Sequence, residues 1–296
     1  MNHSDLMGIY PALLTGLQAN GDLAEAATVG WLETLFRTGI DGVYVGGSTG
    51  EGMRLSEEQR KRLLTCIVGA TPPGKKVIVQ VGAAEKESAF RLAAHAAENG
   101  ADAISSLPPP GGWEEVSAYY KRLAEQIALP LVIYYFPEIT PAAFPTEQHL
   151  RRLCDMEGVA GVKFTDYNLF LLQQLAEMGI VAYNGRDEVL AAGLLMGASG
   201  GIGSTYNLLP TCITGIARAA EVGNWREAQR LQVRVNRILQ VMLKYPYLPA
   251  LKSACRHLFG LDLGGVLDGS RFRDVAEEAS FLKELEDCYG EAPRFE

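Results

Sequence analysis

The chain has 296 residues, 48% of them hydrophobic and 8% aromatic, enough for a sizeable core in two ordinary domains or in one barrel with an appendage. Its 27 basic and 35 acidic side chains give a net charge of −8 with no Lys/Arg-rich face or tail, which argues against a nucleic-acid or anionic-membrane partner. The five cysteines are scattered without a Cys-x-x-Cys pair, the four histidines lack metal-ligand spacing, and neither a signal pattern nor a membrane-length apolar run is present, so a reduced, cytoplasmic chain without a metal site is expected.

Short apolar or β-branched runs alternate with segments of helical period, the pattern of βα units around a parallel sheet. In chain order, "GIYPALLT" from residue 8 precedes a helix beginning near Asp22, and "GVYVGGS" from 42 precedes one near Ser56. "KVIVQVG" from 76 is followed by a helix near Glu85, "AISSL" from 103 by one near Glu114, and "PLVIYYF" from 130 by one near Thr146. "VAGVKF" from 159, "IVAYNG" from 180 and "GGIGSTY" from 200 are followed by helices near Asn168, Asp187 and Leu208. Ser56 and Gln59 have capping-box spacing, and the glycines of "NG" at 99–100 and "MG" at 178–179 suit left-handed helix ends.

Eight such units predict an α/β fold, a (β/α)₈ TIM barrel. The alternative, a doubly wound open sheet, usually carries Gly-x-Gly-x-x-Gly after its first strand; here that strand ends "LLTGLQANG", and "GGIGSTY" has Tyr206 where the third glycine belongs. Past residue 222 the strand signal ends and about three amphipathic helices follow, so the division expected is a catalytic barrel over 1–222 and a C-terminal three-helix extension over 223–296.

Active-site groups in such a barrel come from the C-terminal ends of the strands. Lys163 stands near the end of "GVAGVKFTDY", pointing either into the barrel mouth or out toward the helices. An inward lysine in a low-dielectric pocket favours the neutral amine, a nucleophile able to attack a ketone as a Schiff base forms. Tyr134 and Tyr135 end strand five, and alternation turns one of them inward, where a phenol near the lysine can relay protons. "GGSTGEG", residues 46–52, is either an anion-binding nest suited to a carboxylate or a Gly-rich turn. Asp187, Glu188 and Ser204, after strands seven and eight, suit a polyhydroxylated substrate; alternatively the two acids favour the next helix N-terminus.

With these residues the chain resembles, over essentially its whole length, the pyruvate-dependent class I aldolases and lyases that include N-acetylneuraminate lyase and dihydrodipicolinate synthase. "GIDGVYVGGSTGEG", "YNGRDEVLAAGLLMGASGGIGSTYN" and "EVGNWREAQRLQ" are more similar to the lyase branch than to the synthase, whose strand-eight segment lacks Gly-Ser-Thr-Tyr-Asn. The resemblance implies a homotetramer with no metal or organic cofactor, acting on a small 2-keto acid related to pyruvate. Carried over position by position, it makes Lys163 the Schiff-base lysine and Tyr134, three residues before Pro137, the catalytic tyrosine. It makes Ser48 and Thr49 the pair that binds the pyruvyl carboxylate, and Thr165, Gly185, Asp187, Glu188 and Ser204 contacts to the sugar. Three departures touch this pattern: Pro109 where the synthase has a tyrosine reaching the neighbouring subunit, Leu248 where the lyase branch often has an aromatic, and Gly16 in place of a proline. The expected activity is cleavage of N-acetylneuraminate to pyruvate and N-acetylmannosamine; alternatives are dihydrodipicolinate synthesis, cleavage of a 2-keto-3-deoxy sugar acid, or a non-catalytic barrel that binds a keto acid.

Overall fold

In a computed structural model, which describes residues 3–290, eight parallel strands form a TIM barrel. They are β1 (Gly8–Pro11), β2 (Gly42–Val45), β3 (Lys76–Gln80), β4 (Ala103–Ser106), β5 (Leu131–Tyr135), β6 (Val159–Phe164), β7 (Val181–Asn184) and β8 (Gly200–Gly203). Each pairs with its sequence neighbour, β8 returns to β1, and the seam between β1 and β2 is closed by Leu13 N donating to Tyr44 O at 2.9 Å and Asp41 N to Ile9 O at 3.1 Å. All eight strands lie where the sequence predicts them.

The crossover helices are α1 (Glu25–Phe36), α2 (Glu57–Ala70), α3 (Lys86–Glu98), α4 (Trp113–Gln126), α5 (Glu147–Cys154), α6 (Leu169–Ala176), α7 (Leu190–Leu195) and α8 (Pro210–Glu221). The predicted capping box opens α2: Ser56 Oγ accepts from Gln59 N at 3.2 Å and Ser56 N donates to Gln59 Oε1 at 2.9 Å. The seventh helix starts later than the sequence suggests, because Asp187–Val189 forms a single 3₁₀ turn before α7. Three further helices follow, α9 (Trp225–Met242), α10 (Tyr247–Phe259) and α11 (Val275–Tyr289).

Two apolar cores result. One lies between sheet and helices; the other fills the barrel with inward residues including Tyr10, Tyr44, Ile78, Val132, Tyr134, Tyr183 and Ile202. A 3₁₀ turn at Ser4–Leu6 plugs the bottom, where Leu6 O accepts from the hydroxyls of Tyr10 and Tyr183. Buried Asn207 ties β1 to the segment after β8: its Oδ1 accepts from Trp31 Nε1 at 2.9 Å and its Nδ2 donates to Ala12 O at 2.8 Å. Gly16, where a proline was the expected residue, donates its N–H to Thr28 Oγ1 at 2.9 Å, a bond proline cannot make. No helix among the described residues is long and apolar enough to cross a membrane.

Candidate active site

The site begins with an irregularity in β6. Leu131 of β5 pairs with Val159, but the next residue, Val132, pairs with Gly161, so Ala160 is an extra residue in the β6 edge. Such a bulge breaks the two-residue alternation of faces. Val159, Val162 and Phe164 therefore face the outer core while Ala160 lies in the barrel interior, and Lys163, of the same parity as outward Val159, points inward. Gly161 is needed at this point, because a Cβ there would stand 2.4 Å from Val181 O.

Lys163 is 5% exposed, and aromatic rings surround its amine: Nζ lies 3.9 Å from the Tyr134 ring centroid and 4.4 Å from that of Tyr44. Tyr134 is the inward tyrosine; Tyr135 packs outward against Phe144 and Phe164, and burial followed by the charge of Asp166 pushes its phenol up to about 12. Tyr44 and Tyr134 meet edge to face at 6.1 Å, and Tyr134 stacks on Phe136 at 6.3 Å. The Tyr44 hydroxyl donates to Ser105 Oγ at 3.0 Å, and burial followed by the proximity of Tyr134 raises its pKa well above the ordinary phenol value. It remains a protonated donor. Tyr44 was not singled out from the sequence, though its inward position on β2 was legible from strand alternation.

Ser48 and Thr49 sit on the loop after β2, the first exposed and the second half-buried. The loop is held from beneath. Thr15 Oγ1 donates to Gly50 O at 2.8 Å, and Glu51, in a left-handed conformation at φ 54°, turns a buried carboxylate away from the loop. Glu51 receives Lys252 Nζ of α10 at 3.3 Å and the backbone N–H of Leu267. Lys252 also donates to Gly265 O; its burial lowers its pKa, and Glu51 opposes that shift. The 201-residue separation of this pair hides it from local sequence reading.

Thr165 ends the β6 turn with its Oγ1 buried and without a hydrogen-bond partner among the described residues. Gly185 is half-buried after β7, where its close packing leaves only 2.4 Å between an added Cβ and Thr165 Oγ1. Asp187 is buried, and its Oδ2 accepts from Thr205 N and Thr205 Oγ1, both at 2.7 Å, and from Ser204 Oγ at 3.2 Å. Burial raises its pKa, with Glu188 adding to the shift and the Thr205 and Ser204 hydrogen bonds opposing it. Asp187 thus braces the segment after β8. Glu188 is half-buried and accepts the Tyr167 hydroxyl. Ser204 shares a 2.6 Å hydrogen bond with the hydroxyl of Tyr247, the residue before Leu248.

The C-terminal helices hold these loops in place. From α9, Gln232 Nε2 donates to Asp187 O at 2.9 Å and Asn236 Nδ2 to Glu188 O at 3.0 Å. From α10, Tyr247 reaches Ser204 and Lys252 reaches Glu51. The assembled mouth joins an amine among aromatic faces, hydroxyl groups on a glycine-rich loop, and polar groups after β6, β7 and β8.

Residues 5–267 match the model of the dihydrodipicolinate synthetase family. N-acetylneuraminate lyase of Rhizobium meliloti (strain 1021) is 38% identical over 253 residues, 84% of each chain. N-acetylneuraminate lyase of Shigella boydii serotype 4 (strain Sb227) is 33% identical over 261 residues, covering 86% of this chain and 88% of that one. The solved N-acetylneuraminate lyase from Fusobacterium nucleatum, complexed with pyruvate, aligns with a TM-score of 0.89 at 26% identity, over 97% of this chain and 98% of that one.

Proposed function

The chain belongs to the dihydrodipicolinate synthetase family, and from that premise we propose that it is a Schiff-base aldolase cleaving a 2-keto sugar acid, first of all N-acetylneuraminate, to pyruvate and N-acetylmannosamine. The observation that carries the reading is the inward amine of Lys163, held against the rings of Tyr134 and Tyr44 rather than in an ion pair with a carboxylate among the described residues.

The amine attacks the C2 ketone, water leaves, and the resulting iminium is the electron sink for the next step. The C3–C4 bond breaks as Tyr134, with the substrate carboxylate, takes the C4 hydroxyl proton; the aldehyde departs and pyruvate remains as an enamine. Protonation at C3 and attack of water at C2 then release pyruvate and the free amine. The two aromatic faces beside Nζ favour the cationic iminium through the ring quadrupole. Ser48 and Thr49 hold the pyruvyl carboxylate, while Thr165, Gly185, Glu188 and Ser204 contact the hydroxylated part of the substrate. Asp187 acts there through Ser204 and Thr205.

The same reading carries a cytoplasmic homotetramer, with a catalytic barrel over 1–222 and a helical unit over 223–296. Proton NMR of N-acetylneuraminate incubated with the protein tests the substrate: pyruvate and N-acetylmannosamine are expected at enzymatic rates. Their absence would overturn N-acetylneuraminate as the substrate.

A further inference from the structure

Arg186 follows β7 and lies across the barrel mouth. Its guanidinium carbon stands 4.5 Å from the Tyr167 ring centroid and 5.3 Å from that of Phe136, the ring stacked on Tyr134. It is therefore two rings away from the Lys163 amine. Its backbone is fixed by Asn184 Nδ2, which donates to Arg186 O at 2.6 Å. The side chain is only 16% exposed, and its one ion-pair partner among the described residues, Glu138 on Nη2, is 59% exposed. The adjacent donor, Nε, is buried with no hydrogen-bond partner among the described residues.

Nε and Nη2 form the edge of a guanidinium that takes a carboxylate or phosphate side-on through two parallel hydrogen bonds. Glu138 fills half of that edge from the solvent side, and a buried unpaired donor is costly unless a ligand completes it. The rings of Phe136 and Tyr167 hold the guanidinium plane in place. Glu188, the nearby acid, is engaged by the Tyr167 hydroxyl.

We propose that Arg186 is a specificity-determining residue that binds an anionic group, carboxylate or phosphate, at the far end of the aldehyde-side fragment, displacing Glu138 from the Nε–Nη2 edge. The proposal rests on the aldolase reading and extends its substrate class beyond N-acetylneuraminate to 2-keto acids that carry a second anionic group at the far end.

The test is condensation of pyruvate with paired aldehydes: mannose and N-acetylmannosamine as neutral acceptors, a hexuronate as the carboxylate acceptor and mannose 6-phosphate as the phosphate acceptor. Wild-type protein should prefer at least one anionic acceptor over mannose by about tenfold or more in kcat/KM, the scale of one hydrogen-bonded charge pair; which anion is favoured distinguishes carboxylate from phosphate. Arg186→Ala should erase that preference, Arg186→Lys should restore part of it, and Glu138→Gln should lower KM for the anionic acceptor by removing its competitor. Equal losses on neutral and anionic acceptors in Arg186→Ala, or no anionic preference in wild type, would overturn the proposal. Borohydride trapping of pyruvate, run in parallel, separates the two levels: an adduct without anionic preference overturns this proposal alone, and absence of an adduct overturns the aldolase reading and the proposal with it.

Discussion

Tyr134 and Lys163 are register partners on β5 and β6, and the lysine Nζ lies 3.9 Å from the centroid of the phenol ring. One ring thereby serves two purposes. Its face steadies positive charge on the nitrogen, and its hydroxyl is the proton acceptor the proposed bond cleavage needs. The two purposes can be separated by removing the hydroxyl alone.

Tyr134→Phe keeps the ring that meets Tyr44 and stacks on Phe136. The expected outcome is a fall in kcat by about 10²–10⁴, the usual contribution of a positioned acid or base, with borohydride trapping of pyruvate retained and thermal stability close to wild type. Turnover near the wild-type rate would remove Tyr134 from the proton-transfer step.

Gly161→Ala tests the bulge. The new Cβ would meet Val181 O at 2.4 Å, and backbone has little room to give. A loss of about 1–3 kcal/mol in urea unfolding is expected, in line with overpacked interiors. The folded fraction should also form less pyruvyl adduct, because the bulge sets the direction of Lys163. Unchanged stability and adduct yield would show that the bulge does not constrain the lysine.

The bulge also marks where sequence reading stops. Eight strands were legible because each is a short apolar run bounded by turn residues, and the helix cap at Ser56 was legible because its side chain acts locally. Strict alternation from Val159 would have turned Lys163 outward; the extra residue is visible only in the pairing with β5. Tyr247, Glu51 and Lys252 were missed for a related reason, since their partners lie on distant segments. Arg186 stands inside the YNGRDE segment, but its setting comes from Phe136 and Tyr167 on two other loops.

Lys252→Met leaves the Glu51 carboxylate buried with the Leu267 N–H as its one remaining partner among the described residues, and removal of one member of a buried ion pair costs about 3–5 kcal/mol. The double variant Glu51→Gln with Lys252→Met should recover part of that loss in urea unfolding, because no uncompensated charge remains. The single variant should also raise KM for pyruvate in condensation, since Glu51 anchors the Ser48–Thr49 loop. Equal stability of wild type and Lys252→Met would contradict the structural role given to the pair.

Asp187 supplies a pH dependence with a definite sign. Burial raises its pKa, so the folded protein keeps this proton to higher pH than the unfolded chain does. The group's contribution to stability is full below the ordinary carboxylate value near pH 4 and is lost as pH rises through the raised value. The stability advantage of wild type over Asp187→Asn should therefore be largest at the acid end of this window and decline as pH rises. An advantage that is flat or grows with pH would contradict the assignment.

Everything proposed for this site turns on the Lys163 amine forming the imine with the 2-keto acid. The most direct test is borohydride reduction of the protein in the presence of pyruvate, followed by peptide mass mapping. A reduced pyruvyl adduct is expected on the peptide containing Lys163, absent without pyruvate and absent in Lys163→Ala. An unmodified Lys163 in active protein, or an adduct on another lysine that persists in Lys163→Ala together with full turnover, would contradict it.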